Sequence, residues 1–235
     1  GSSDMTYEIW AKPANFLTTP FNLYRKTSSN TTRDIFYFLL EIPFISGIVV
    51  FSPEPNSGYN TSFVTGVNTF STGTWQHLVF THDTSLGQVK VYINNSLVKT
   101  NTDTSNWSSY PNNNSDTYFL TVGSGNSFGY VGNISIVRIY KDKALTASEV
   151  TQNYNAEKGR YTTSSSSGTH VTSNLVFHID AGNTNSYSGS GTTVNSLVGG
   201  ISSSSYNSNI SHSTSDGGYW TFSSNTGNGI EFDSI

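Results

Sequence analysis

The 235-residue chain contains no cysteine and few charges of either sign. Without cysteine there is no disulfide, no thiolate metal site and no cysteine nucleophile. Charged residues make up 11% of the chain, and 11 Lys and Arg against 15 Asp and Glu leave a net charge of −4. The cations gather no further than Arg25-Lys26 and the Lys141/Lys143 pair. A phosphate backbone demands several cations on one face, so nucleic acid is not an expected partner. Long apolar runs are missing too. Ile35–Phe51 is the most apolar stretch, but Glu41, Pro43, Ser46 and Gly47 interrupt it, so no membrane span is expected. The N-terminus lacks a basic region followed by an apolar run, and no signal peptide is expected in these residues. His-Glu-x-x-His, Gly-x-Ser-x-Gly, Walker-type and dinucleotide fingerprints are all absent.

What the chain does have is aromatic bulk. Apolar residues reach only 34%, yet 14 Tyr, 14 Phe and 4 Trp supply large side chains for a core. The surface must then be Ser, Thr, Asn and Gly, which inclines the reading towards an extracellular or particle-associated protein. The length fits one large all-β domain, or one domain with an appendage.

Strand patterning is clearest from Gly73 to Lys99. Trp75, His77, Val79 and Thr81 alternate with Gln76, Leu78, Phe80 and His82. Val89, Val91 and Ile93 then share a face opposite Lys90, Tyr92 and Asn94. This period of two around a Gly-containing turn predicts a hairpin, and Asn94-Asn95 a second tight turn into Ser96–Thr100. Further strands are expected at Met5–Lys12, Phe21–Lys26, Ile35–Leu40, Ile48–Phe51, Ser62–Val67, Tyr118–Val122 and Gly132–Tyr140. One helix is expected near residues 146–157, where Thr146 and Glu149 fit a capping box and Val150 and Tyr154 lie at helical spacing.

Three pieces carry a family resemblance: Thr-Trp-Gln-His-Leu-Val-Phe-Thr-His-Asp, Gly-Gln-Val-Lys-Val-Tyr-Ile-Asn-Asn, and Gly-Asn-Ile-Ser-Ile-Val-Arg-Ile-Tyr-Lys-Asp-Lys-Ala-Leu-Thr-Ala-Ser-Glu-Val. In this order they resemble the laminin G-like branch of the concanavalin A-like lectin/glucanase superfamily, over roughly residues 6–160. The resemblance implies an all-β fold, a two-sheet antiparallel jelly-roll sandwich with one short helix. It implies no single function, since lectins, adhesion modules, glycosidases and virion proteins share that fold.

Residues 1–160 are thus expected to form the laminin G-like sandwich and 161–173 a Ser/Thr-rich linker. Residues 174–235 resemble the front of a second such domain, of a type found in phage and giant-virus virion proteins. Leu175–Asp180, Tyr219–Phe222 and Gly229–Phe232 read as its strands, with Leu175, Phe177, Ile179, Trp220, Phe222, Ile230 and Phe232 as the apolar side chains that complete a sandwich. Sixty-two polar residues cannot bury a core alone. Completion within the same chain, completion of a neighbouring subunit head-to-tail, and a slice of a tandem array are all open at this point.

Several residues are candidates for chemistry. Glu231 and Asp233 share a strand face and superficially resemble a glycosidase pair, with Glu8 as a third acid, although solvent-facing strand acids are commoner. His77 and His82, near Asp83, are more readily read as packed sheet residues than as metal ligands. The resemblance implies a calcium site at a loop rim, for which Asp83, Asp103, Asp116 and Asp180 are the loop acids. Trp107 and Tyr110, among Asn106 and Asn113 in the polar stretch 101–116, have the composition of a glycan contact. The reading taken from these features is a non-enzymatic extracellular or virion-surface structural and adhesion protein that assembles with copies of itself through its strands. Glycans or other surface proteins are further expected partners. A carbohydrate-binding, lectin-like module is the alternative.

Overall fold

The computed structural model describes residues 4–14, 21–28, 31–40, 50–52, 63–64, 71–102, 118–125, 128–223 and 229–233, with the backbone alone at 21–64, 118–119 and 124–129. In chain order the strands are β1 (Met5–Pro13), β2 (Phe21–Ser28), β3 (Thr31–Leu40), β4 (Val50–Ser52), β5 (Phe63–Val64), β6 (Gln76–Asp83), β7 (Gln88–Ile93) and β8 (Ser96–Asn101). There follow β9 (Tyr118–Val122), β10 (Ser124–Gly125), β11 (Phe128–Gly129), β12 (Gly132–Lys141) and the helix α1 (Ala147–Glu157). The C-terminal strands are β13 (Leu175–Asp180), β14 (Ser203–Tyr206), β15 (Ile210–Ser213), β16 (Tyr219–Phe222) and β17 (Ile230–Asp233).

They form two sheets, antiparallel apart from the single-residue contact of β11 with β2. The first runs β15-β16-β12-β1-β6-β7-β8, and the second β14-β17-β9-β2-β3-β4-β5. The protein is therefore the all-β, two-sheet sandwich that the family resemblance implies. Side chains at alternate positions of β1 and β6 meet the second sheet: Tyr7, Ile9, Ala11, Leu78 and Phe80 share a core with Leu120, Val122, Ile230 and Phe232.

The C-terminal segment lies in both sheets of its own chain. Strand β12 is long enough to carry two of its strands end to end: β16 pairs with Gly132–Ile134 and β13 with Ile136–Tyr140. In the other sheet β17 pairs with β9. Phe177, Ile179, Trp220, Phe222, Ile230 and Phe232 are all buried in the core, and Phe177 meets Phe232 edge-on at 4.9 Å. Leu175, beyond a register break in the β12–β13 pairing, packs instead with a smaller cluster on the outer face. Of the arrangements left open by the sequence, the described residues show these side chains engaged within their own chain.

That outer face of the first sheet is covered, which the sequence did not announce. Helix α1 and the segment after it lie across β1, β6 and β12. Val79, Tyr92 and Tyr140 from the strands pack with Leu145, Val150 and Val171. Thr146 accepts a hydrogen bond from the Glu149 amide, and the Glu149 carboxylate accepts one from the Thr146 amide, closing the expected capping box. Thr6 ties the approach to the helix down: its hydroxyl donates to the Lys143 carbonyl and accepts from the Leu145 amide, each at 2.9 Å. No helix among the described residues is long and apolar enough to cross a membrane.

Candidate functional site

Beneath α1 the outward side chains of β1, β6, β12 and β13 form a buried polar chain. The Glu8 carboxylate accepts from Arg138 at 2.9 Å and Asn153 at 2.6 Å, and pairs with His77 Nε2 at 2.9 Å. Arg138, itself fully buried, also donates to Glu157 and, through Nε, to His178 Nε2 at 3.2 Å. Burial alone would raise the Glu8 pKa, but Arg138, His77 and Asn153 together bring it down to about 2. His178 is driven the other way, to about 2, by burial and then by the Arg138 and His170 charges, so it is a neutral acceptor. A carboxylate so tightly paired cannot serve as a general acid near neutrality.

The chain continues to one end of the sheet. Arg160 grips Asp180 with two parallel hydrogen bonds at 2.7 and 2.8 Å, the fork geometry that suits a guanidinium best. It also donates to the Gly217 carbonyl at 2.5 Å and more loosely to Glu157 and Ser135, each at 3.3 Å. Ser135 in turn donates to the Gly218 carbonyl at 2.5 Å and accepts from the Tyr161 hydroxyl at 2.7 Å. These contacts pin the turn 216–218, whose three residues all have positive φ (48°, 73° and 100°). Glycine is needed at Gly218 for space as well as conformation, since a Cβ there would overlap the Gly182 backbone, and a Cβ on Gly182 would overlap the Gly217 carbonyl.

Over this turn lies a run of aromatic rings that passes from buried to half-exposed. Trp10 is buried, stacked on Tyr154 at 5.7 Å, His77 at 4.9 Å and Tyr161 at 4.4 Å. Tyr161 meets Trp75 at 4.8 Å, and Trp75 meets Tyr219 at 5.7 Å. Tyr161, Trp75 and Tyr219 are half-buried, and Asp216 beside them is exposed. The Trp75 indole N–H donates to the Asp216 carboxylate at 2.9 Å, joining residues 141 positions apart. The result is an aromatic patch with a fixed carboxylate at its rim.

The residues singled out from the sequence are placed as follows. Trp107, Tyr110, Asn106 and Asn113 lie outside the described residues, as do Asp103 and Asp116. Asp83 accepts from the Ser85 hydroxyl and the Leu86 amide as a turn acid. Both oxygens of Asp180 are engaged by Arg160. By the strand register Asp83 lies one residue beyond the Met5 end of β1 and Asp180 level with Trp10, roughly 20 Å apart along the strands alone. Those two acids do not fit one cation, and no group of three candidate ligands gathers among the described residues. Glu231 and Asp233 are exposed on β17 in the second sheet, whereas Glu8 is buried on the outer face of the first, so the three do not meet. His77 is a packed, hydrogen-bonded sheet residue.

A laminin G-like model described as concanavalin A-like lectin/glucanases superfamily matches residues 1–151. The chain belongs to that superfamily. No functionally curated protein matches the sequence. Among solved structures, this superfamily member is similar to a putative carbohydrate binding protein from Bacteroides ovatus ATCC 8483, with a TM-score of 0.58 and 15% identity over 97% of this chain and 55% of that one. It spans about half the length of that structure. The Ruminococcus gnavus IT-sialidase CBM40 bound to α2,3-sialyllactose aligns with 63% of this chain and 80% of its own, at 13% identity and a TM-score of 0.48. Domain 4 of AbnA, an extracellular GH43 arabinanase of Geobacillus stearothermophilus in complex with arabinotriose, aligns with 64% of this chain and 66% of its own, at 23% identity and a TM-score of 0.42.

Proposed function

We propose that this superfamily member is a non-catalytic carbohydrate-binding module. The observation that carries the reading is the half-exposed Tyr161–Trp75–Tyr219 patch with Asp216 fixed at its rim. A sugar ring presents an apolar C–H face to an aromatic and a girdle of hydroxyls to acceptors beside it. The patch offers both on a scaffold whose buried groups hold it still. Preorganisation of this kind lets a shallow site bind without a large ordering cost. The Bacteroides ovatus structure, named for carbohydrate binding, agrees with this reading across nearly the whole chain.

Binding without hydrolysis is proposed because Glu8, Glu157 and Asp180 are each engaged by arginine, and Glu231 and Asp233 share one solvent-facing strand. The hydroxyl- and amide-rich composition supports a place outside the cell or on a particle surface. The virion-surface adhesion role read first from the sequence is set behind the lectin-like one, because the strands meant for assembly are paired within the chain. Trp107 and Tyr110, with Asn106 and Asn113, are proposed as a second contact on composition alone.

A glycan microarray probed with the labelled intact protein tests the reading. Binding to a set of related oligosaccharides is expected, with no release of reducing ends on prolonged incubation. An array without hits overturns binding, and release of reducing ends overturns the non-catalytic part.

A further inference from the structure

We infer that the aromatic patch at Trp75 selects neutral oligosaccharides and rejects acidic ones, a refinement that rests on the carbohydrate-binding reading. The argument is the charge that a ligand would meet there. Asp216 is exposed, and its carboxylate is held by the Trp75 indole through Oδ2, which leaves Oδ1 as an acceptor for a hydroxyl. The Gly217 and Gly218 carbonyls beside it are already taken, by Arg160 and Ser135, which leaves Asp216 as the acceptor at the rim.

Arg160, the cation that meets the patch at Tyr161 among the described residues, is not available to a ligand. Arg160 has Asp180 on both terminal nitrogens, Glu157 on one and the Gly217 carbonyl on the other, with its guanidinium 5.5 Å from the Tyr161 ring. A half-buried arginine so bonded would have to break these contacts to meet a uronate or a sialic acid carboxylate. Arg138 lies deeper and is engaged by Glu8 and Glu157. Along the polar chain two arginines thus face four carboxylates, Glu8, Glu157, Asp180 and Asp216. A carboxylated sugar stacked on Trp75 would sit a few ångströms from Asp216. Like charges at about 5 Å in a partly wet site weaken binding by at least about fourfold, and more as water is excluded.

An ionised carboxylate accepts hydroxyl protons more strongly than a neutral oxygen does. A neutral polyol supplies many such donors and no competing anion.

Isothermal titration of the intact protein against two probe sets decides the matter. The neutral set is cellotetraose, xylotetraose, mannotetraose and arabinotriose; the acidic set is trigalacturonate and 3′-sialyllactose. Expected is binding of at least one neutral probe, weakened about tenfold or more by Trp75→Ala and by Tyr219→Ala, with acidic probes silent. In Asp216→Asn, which keeps an acceptor for the indole, the neutral probe weakens a few-fold and acidic probes gain. Thermal melting of each variant separates loss of the site from loss of the fold, and Tyr219→Ala serves where Trp75→Ala unfolds. Acidic probes that bind wild type and lose affinity in Trp75→Ala overturn the selectivity while leaving carbohydrate binding standing. Neutral binding unaffected by both aromatic variants removes the site but again not the function. Silence from both sets overturns the two together.

Discussion

Replacing Glu8 by glutamine isolates the ion pair on which the outer face is built. Glu8 is fully buried and accepts from Arg138, Asn153 and His77, so the isosteric amide keeps the volume and removes the charge. Arg138 keeps Glu157 but loses its buried counter-ion, and breaking one side of such a pair costs about 3–5 kcal/mol. The pKa of Glu8, lowered against the effect of burial chiefly by the same Arg138 charge, leads to a similar figure. Its carboxyl falls from 4.5 to about 2 on folding, a difference equivalent to about 3 kcal/mol. Because the folded value is the lower one, that stabilisation is complete above pH 4.5 and disappears as the pH drops to about 2. Urea unfolding followed by tryptophan fluorescence should therefore show Glu8→Gln about 3 kcal/mol less stable than wild type at pH 6. The gap should narrow steadily below pH 4.5. A gap under about 1 kcal/mol at pH 6, or one that stays constant down to pH 2.5, would refute the buried pair.

Other outcomes follow from the same contacts. A chain ending at Ser173 loses Phe177, Ile179, Trp220, Phe222, Ile230 and Phe232 from the core, about 9–18 kcal/mol of burial, and should be insoluble or bind a hydrophobic dye. Closure of the sandwich within one chain predicts a sedimentation coefficient that does not change with concentration; growth into longer species would favour strand donation between subunits. Gly182→Ala forces a Cβ into the Gly217 carbonyl, and should lower stability by about 1–3 kcal/mol and weaken glycan binding through the displaced Asp216 turn. Thr146→Ala removes the helix cap and should cost about 1 kcal/mol in unfolding experiments, with binding unchanged.

Local signals were legible in the sequence and distant ones were not. The β6–β7–β8 meander announced itself through alternation and turn residues, and the helix through Thr146 and Glu149, because both depend on neighbours in the chain. Ser203–Tyr206 and Ile210–Ser213 were missed as strands: Ser-Ser-Ser-Tyr has no apolar alternation, and both strands lie at sheet edges where none is needed. Glu8 reads as a candidate third acid, Asp180 as a candidate calcium ligand and Arg138 as a plain strand charge, none of them as part of a buried ion-pair chain. Their burial depends on a helix and a linker folding over a face that alternation alone would assign to water. The Trp75–Asp216 contact spans 141 residues and carries no local mark beyond the turn-forming Asp-Gly-Gly. Trp75 did read as a strand residue, but nothing near it in sequence told that its face would be shared with Tyr161 and Tyr219.

The chain's four tryptophans, Trp10, Trp75, Trp107 and Trp220, allow the central claim to be read in one spectrum. In a 15N-labelled sample titrated with the tightest-binding neutral oligosaccharide, the assigned indole N–H resonance of Trp75 should move. That of Trp220, buried in the inter-sheet core, should stay in place. A shift confined to Trp107, with Trp75 unmoved, would contradict the placement of the binding site on the outer face.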